Sequence, residues 1–123
     1  MLARANRVTK PEDFRRALSS GVKVVGETVA LHAAREPESN RELPARIGFI
    51  VGKACGPAVI RNQIKRRLKS ISRSLLVELK PGTLVVVRAL PSSRGSSFQG
   101  LNEELTRNFV SLIKKLERRS NHV

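Results

Sequence analysis

Residues 57–79 combine a helical apolar stripe with a run of basic side chains, and this combination limits how the chain can fold. Apolar residues recur at spacings of 4, 4, 3 and 4, at Ile60, Ile64, Leu68, Ile71 and Leu75. At about 100° per residue, these side chains line one face of an α-helix. The opposite face carries Asn62, Arg66, Lys69 and Arg73, with Arg61 and Lys65 toward its edge. The pattern predicts a helix with an aliphatic back on a core and a cationic front outside.

The charge of the whole chain supports this interpretation of the front. The sequence has 24 Lys and Arg against 10 Asp and Glu, a formal net charge of +14. Residues 43–77 contain no acid, but they contain Arg46, Lys53, Arg61, Lys65, Arg66, Arg67, Lys69 and Arg73. Solubility alone does not require such a run, whereas a polyanionic partner does, and nucleic acid is the most frequent one.

The segment before the basic helix favours RNA over DNA. A helix-turn-helix motif needs a short helix just upstream, but "IGFIVGKACGPA" predicts a strand and a turn. A membrane surface is less favoured, because the last helix has Glu103, Glu104 and Glu117 among its basic residues. The opening "MLARANRVTK" has no apolar centre of a signal peptide, and the single Cys55 indicates a reducing compartment. We therefore expect a cytoplasmic protein.

The remaining patterns predict a small α+β domain. A helix is expected near residues 11–20, an extended region over 22–34, a strand within 45–53, a strand over 83–89 and a last helix over about 97–119. The predicted order is α-β-β-α-β-α, and a further short strand beside the second strand region is left open. This order suits a two-layer α/β sandwich. We expect one RNA-binding domain over residues 1–123, with flexible ends at 1–8 and 119–123.

No pattern in the sequence indicates a protein-borne active site. The two histidines, His32 and His122, have no partners at metal-ligand spacing, and no Gly-rich phosphate loop is present. Acids near the starts of predicted helices, at Glu12, Asp13, Glu103 and Glu104, are explained by the helix dipole. Cys55 lacks a neighbouring base and is interpreted as an inert structural thiol. We predict no catalytic residue and no metal ligand.

The segment "IGFIVGKACGPAVIRNQIKRRLK" resembles the signature of the protein subunit of bacterial ribonuclease P. Its strand, Lys-containing turn and G-x-A-V-x-R-N-x-x-K-R run all have counterparts in that family. The start "NRVTKPEDFRRALSSG" is also similar, and so are the spacings to "TLVVVRA" and the last helix. The resemblance covers nearly the whole chain. A basic helix alone would be much less specific.

The resemblance implies both a fold and a role. The fold is a mixed sheet of about four strands in which the basic helix makes a left-handed crossover between two parallel strands. The family's RNA partner carries the active site and, with magnesium, removes the 5′ leader of precursor tRNA by hydrolysis. The protein binds that RNA and the leader, and no obligate protein partner or membrane is implied. Magnesium would be held mainly by the RNA.

The site residues follow from the resemblance position by position. The catalytic RNA would be bound by Lys53, Arg61, Asn62, Lys65, Arg66 and Lys69. The leader would be bound in a cleft by Phe14, Leu18 and His32. For Phe14 the alternative is plain core packing, and for His32 it is a strand histidine on the solvent face.

Two positions depart from the family pattern. The Arg-Asn-Arg triplet of the family is Arg61-Asn62-Gln63 here, so one charge is missing beside the basic front. His32 stands where the family usually has an aromatic hydroxyl side chain, which makes stacking sensitive to pH because histidine titrates near 6.5. The other candidate function is a small basic ribosomal protein, which would bind ribosomal RNA and support no cleavage.

Overall fold

The computed structural model describes residues 2–120, which form a four-stranded sheet and three longer helices joined by short 3-10 turns. In chain order the elements are α1 (Pro11–Ser20), β1 (Val22–Val25), β2 (Val29–Arg35), β3 (Arg46–Val51), α2 (Ala58–Leu75), β4 (Thr83–Ala89) and α3 (Phe98–Ser120). The predicted basic helix and both later elements therefore form close to their expected bounds.

The extended region predicted over residues 22–34 folds back on itself. It forms an antiparallel hairpin of β1 and β2, in which Val22 pairs with Ala33 and Val25 with Ala30. The order is therefore α-β-β-β-α-β-α, with one strand more than the six-element prediction. The sequence did not indicate this turn clearly, because a single glycine, Gly26, stands between Val25 and Glu27 with no proline, asparagine or aspartate beside it.

A distant carboxylate holds the hairpin turn. Glu104 Oε2 accepts hydrogen bonds from the backbone nitrogens of Thr28 at 2.9 Å and Val29 at 3.0 Å. A Cβ atom at Gly26 would lie 2.6 Å from the same oxygen, so a larger residue there would displace the Glu104 side chain. The explanation of Glu104 by the dipole of α3 is wrong, because the helix begins six positions earlier at Phe98 and the buried carboxylate instead binds the turn.

The strands lie in the order β1-β2-β4-β3. The central pair β2 and β4 is antiparallel, whereas β3 and β4 are parallel neighbours connected by α2. The sheet is thus mixed, as the family resemblance implied. The left-handed sense of the crossover stays a prediction.

The two faces of the sheet are covered to different extents. On one face, α2 and α3 pack over Leu31, Ile47, Val85 and their neighbours to form the main core. On the other, α1 covers a smaller cluster through Ala17, which meets Leu84 and Val86. The predicted two-layer sandwich therefore describes α2, α3 and the sheet, and α1 adds a partial layer on the opposite side.

Part of the expected flexible N-terminal end has defined contacts. Leu2 and Val8 are buried, and the backbone nitrogen of Val8 donates to the carbonyl of Ile47 at 3.1 Å. At the other end, Arg119 belongs to α3. Residues 121–123, which include His122, lie outside the described part of the chain, so the prediction for that end stays a prediction.

Candidate RNA interface

The front of α2 brings four of the predicted RNA-binding residues together. Asn62, Lys65, Arg66 and Lys69, here called the basic face, line one shallow surface depression together with Val59. Asn62, Lys65 and Arg66 are exposed, and Lys69 is half-buried. The helix is fixed from behind because Ile64 and Leu68 are buried in the main core. The predicted aliphatic back and cationic front are confirmed.

The other two predicted RNA-binding residues lie outside that depression. Arg61 is half-buried, and its Nε donates a 3.1 Å hydrogen bond to the carbonyl of Gly56 in the turn before α2. Gly56 has a φ of 134°, a conformation that favours glycine. Lys53 is exposed on the 3-10 turn Lys53–Cys55 that precedes this glycine. Arg61 therefore supports the start of α2, and Lys53 extends the positive charge upstream.

Arg67, a member of the acid-free run, has a structural contact. Its Nη1 donates a 2.9 Å hydrogen bond to the carbonyl of Ser96, in the loop before α3. The side chain is half-buried and ties α2 to that loop. A charge in a basic run is thus not always directed at the partner.

A groove of about 450 Å³ lies beside the basic face. Its lining includes Arg7, Val8, Phe14, Gly48, Lys65 and Lys69. We call it the Phe14 groove. Lys65 and Lys69 line both this groove and the depression on α2. A cationic surface therefore continues directly into a groove with an aromatic ring.

Phe14 is positioned by a close approach to the sheet. A Cβ atom at Gly48 of β3 would lie 2.7 Å from Phe14 Cε1 and 2.8 Å from Val8 Cβ. The ring thus lies against a glycine that leaves room for it, and it stays partly accessible because Phe14 is only half-buried. Core packing, the alternative interpretation of Phe14, therefore describes only part of its role. The ring packs against Gly48 and Val8, and the residue also lines the groove.

A network of four charged side chains anchors α1 to the sheet. Arg46 of β3 donates to Glu36 Oε2 at 2.7 Å and to Asp13 Oδ2 at 3.1 Å. Arg16 donates to Glu36 Oε1 at 2.9 Å and lies 3.5 Å from Asp13 Oδ1. Burial lowers the pKa of Arg46, but the hydrogen bonds to Glu36 and Asp13 outweigh it, so the pKa is raised. Asp13 is buried in this network and does more than favour the helix dipole.

The two other predicted leader-binding residues do not line the Phe14 groove. Leu18 is 39% exposed on α1, about one turn nearer than Phe14 to the end of that helix. His32 lies on β2, paired with Lys23 of β1 and with Val86 of β4. Val86 belongs to the cluster under α1, so His32 is on the sheet face that bears α1. The predicted leader set is therefore divided between the groove and the neighbouring sheet face.

The structure contradicts one of the two interpretations of His32 and leaves its leader-binding role a prediction. It is 5% exposed, so it is not a strand histidine on the solvent face. Burial, followed by the positive charges of Arg88 and Lys23, lowers the pKa of His32 below 6.5. Within residues 2–120, its Nε2 has no hydrogen-bond partner. The imidazole is therefore neutral at pH 7, and its Nε2 is buried without a partner in that range.

The sequence prediction missed several cations and one apolar residue near these surfaces. Lys23 and Arg88 act on His32, Arg7 lines the Phe14 groove, and Val59 is 78% exposed beside the basic face. Strand alternation gave a usable signal for Arg88, the one charge in "TLVVVRA". Val59 also had a signal, because at about 100° per residue it falls outside the apolar stripe and on the side of Arg66.

The described part of the chain contains one thiol, Cys55, and no cluster of metal-ligating side chains. The Cys55 thiol is buried and donates to the carbonyl of Leu90 at 3.5 Å, as expected of a structural thiol. Among residues 2–120, no group of three or more His, Cys, Asp or Glu could hold a metal ion. No helix in this range is long and apolar enough to cross a membrane.

Comparisons with known proteins agree in sequence and in fold. The family model described as Ribonuclease P matches residues 2–116. The ribonuclease P protein component of Clavibacter michiganensis subsp. michiganensis is 40% identical over 116 residues, which cover 94% of this chain and 100% of that protein. The corresponding protein of Beutenbergia cavernae is 38% identical over 112 residues, covering 91% and 92%.

Solved structures show the same architecture at lower identity. A ribonuclease P protein from Staphylococcus aureus superposes with a TM-score of 0.75 at 22% identity and covers 90% of this chain and 96% of that one. The protein from Thermotoga maritima gives a TM-score of 0.67 at 21% identity, with 91% and 96% covered. These two likenesses support the mixed α+β fold.

Proposed function

Because the chain belongs to the ribonuclease P protein family, and so is a protein subunit of a ribonuclease, we propose that it holds two RNAs at adjoining surfaces. The basic face of α2, with Lys53 and Arg61, binds the ribonuclease P RNA. The Phe14 groove and the sheet face around Leu18 and His32 bind the 5′ leader of precursor tRNA. The ribosomal-protein alternative is abandoned, since the family is established.

The continuity of the two surfaces carries this proposal. Lys65 and Lys69 line the depression on α2 and also the Phe14 groove. A polyanion on the basic face and a single strand in the groove would share these two ammonium groups. The protein thereby places positive charge where two phosphate backbones must approach each other, which reduces their mutual repulsion.

The chemistry of each surface suits its RNA. Arg66 and the lysines can neutralise phosphates, and Asn62 can reach a sugar hydroxyl or a base edge. Phe14 provides a stacking platform for exposed bases, which is how single strands are held with little sequence preference. A leader of variable sequence therefore binds chiefly by charge and stacking.

The reaction itself is assigned to the RNA partner. The surfaces proposed here carry mainly lysine, arginine, asparagine and phenylalanine, which offer no anionic metal ligand, and the imidazole of His32 is buried. Cationic side chains repel Mg²⁺, so the ion required for hydrolysis belongs with RNA phosphates and no step passes through a protein-bound metal. The protein contributes binding, orientation and charge. The cytoplasm is the compartment that we propose.

Reconstitution tests this function. The purified protein is mixed with a bacterial ribonuclease P RNA and 5′-labelled precursor tRNA at low magnesium, beside reactions that contain only the protein or only the RNA. We expect cleavage at the mature 5′ end in the full mixture alone. Cleavage by the protein alone would contradict the assignment of the active site to RNA. Failure to stimulate the RNA would contradict the proposed role.

A further inference from the structure

A second cluster of cations lies at the edge of the sheet opposite to β3. Lys23 of β1 and three residues near the end of α3, Lys115, Arg118 and Arg119, line a shallow groove with Gly21 and Val22. We call it the β1-edge groove. All four cationic side chains are exposed. No acidic residue lines this groove in the range 2–120.

The groove is held in place by a contact between two elements far apart in sequence. Lys115 Nζ donates a 3.0 Å hydrogen bond to the backbone carbonyl of Lys23. Arginines in the last turn of α3 are favourable for the helix dipole, and this explains why Arg118 and Arg119 are tolerated. It does not explain why Lys23 of another element joins them. Four like charges around one concavity instead indicate an anionic ligand.

The sheet order relates this groove to the surfaces already described. The Phe14 groove is lined by Ile47, Gly48 and Phe49 of β3, and β1 is the opposite edge strand. Three strand spacings, about 14 Å, separate the two edges. Between the two edges, Arg88 lies on β4, His32 on β2 and Lys23 on β1. The positive charges of Arg88 and Lys23 both lower the pKa of His32. Lys23 also lines the β1-edge groove, so this face of the sheet carries one cation at that groove and another, Arg88, nearer to β3.

We propose that the β1-edge groove binds the phosphates of the upstream part of a long 5′ leader after that strand has crossed the α1 side of the sheet. The inference rests on the proposed leader-binding function and extends it beyond Phe14, Leu18 and His32. The ligand chemistry is single-stranded RNA phosphate. The ribonuclease P RNA could supply the same chemistry, so the test must distinguish the two sources.

Leader length distinguishes them. Affinities of the reconstituted RNA–protein complex are measured over a salt series with precursors that carry leaders of about 4 and about 16 nucleotides, the range of site sizes of single-strand-binding folds. The variant Arg118→Ala/Arg119→Ala removes two exposed cations from the groove. For the long leader, we expect the slope of log affinity against log salt to fall by about 1.4, since each single-strand contact contributes about 0.7. For the short leader, the slope should not change.

A matched control removes two exposed charges elsewhere. Lys80 and Arg107 do not line the β1-edge groove, so Lys80→Ala/Arg107→Ala should leave both leaders bound as in the wild type. Circular dichroism checks that each variant is folded. An equal loss for both leaders would place the contact on the catalytic RNA and overturn the inference, as would no loss for either. A wild type that does not distinguish precursor from mature tRNA would contradict the proposed leader binding itself, and the inference with it.

Discussion

Arg46 Nη2 donates a 2.7 Å hydrogen bond to Glu36 Oε2, and the Glu36 side chain is only 1% exposed. Arg16 binds the other oxygen of the same carboxylate, and Asp13 lies between the two arginines. These contacts connect α1 to β3 and to the end of β2. Phe14 directly follows Asp13, so this network helps to hold it beside the sheet, together with the apolar contacts of α1.

Glu36→Gln should destabilise the protein by roughly 2 to 4 kcal/mol, because it leaves Arg46 half-buried beside a neutral amide. This loss of stability is small for a broken buried ion pair, because both arginines retain some exposure to solvent. Urea denaturation measures the change. Glu38→Gln is the control, because Glu38 is exposed in the next loop and should cost less than about 0.5 kcal/mol. Equal effects for the two variants would contradict the role of the network.

Arg46 also shows where sequence reasoning stops. It belongs to the 35 residues without an acid, yet its partners Asp13 and Glu36 lie outside that run and meet it only through the fold. The apolar stripe of α2 and the strand Thr83–Ala89 were predictable because they are local patterns. The hairpin turn was not, because Glu104, about 75 residues away, binds its backbone.

The same limit applies to the candidate site. Helical spacing alone brought Asn62, Arg66 and Lys69 together, and the structure agrees. The continuity between Lys65, Lys69 and the Phe14 groove needed the position of α1 relative to α2, which no local pattern contains. The lowered pKa of His32 likewise depends on neighbours from two other strands.

Arg66→Glu should raise the magnesium concentration required for half-maximal cleavage. The reversal replaces a phosphate partner on the basic face with a repelling charge, and added magnesium is the counterion that can compensate. We also expect the salt dependence of RNA binding to weaken by about one unit of slope. Cleavage assays over a magnesium series measure the effect. Arg107→Glu makes the same charge change on α3, and an equal shift in that control would mean that net charge alone is responsible.

Phe14→Ala should reduce affinity for precursor tRNA but not for mature tRNA. Loss of one stacking platform is worth about 1 to 3 kcal/mol of binding. Because the ring also packs against Gly48, a second variant is needed to separate stacking from folding. Phe14→Leu keeps an apolar side chain without the ring, so it should retain most of the stability and still lose the precursor preference. Equal losses for both tRNAs would indicate a packing defect instead.

His32 should make folding stability dependent on pH. Its pKa is lowered below 6.5 in the folded state by burial, Arg88 and Lys23. As pH falls below 6.5, the unfolded chain takes up a proton that the folded protein resists, so stability decreases, by at most about 1.4 kcal/mol per pH unit for one group. His32→Gln should flatten the stability profile below pH 6.5 in urea denaturation. A variant with the slope of the wild type would show that another group is responsible.

Gln63→Arg should strengthen RNA binding, because it restores the charge that the family places beside the basic face. Gln63 is exposed, one turn from both Val59 and Arg66, which line the depression on α2. One added phosphate contact should steepen the slope of log affinity against log salt by about 0.7 to 0.9. The new arginine lies three residues from Arg66 and four from Arg67, so it is repelled by both. This repulsion should lower the stability of the helix by no more than about 0.5 kcal/mol. Gln99→Arg adds the same charge at an exposed position on α3 and should leave the slope unchanged. A steeper slope in both variants would mean that the net charge of the protein, and not the position of residue 63, is responsible.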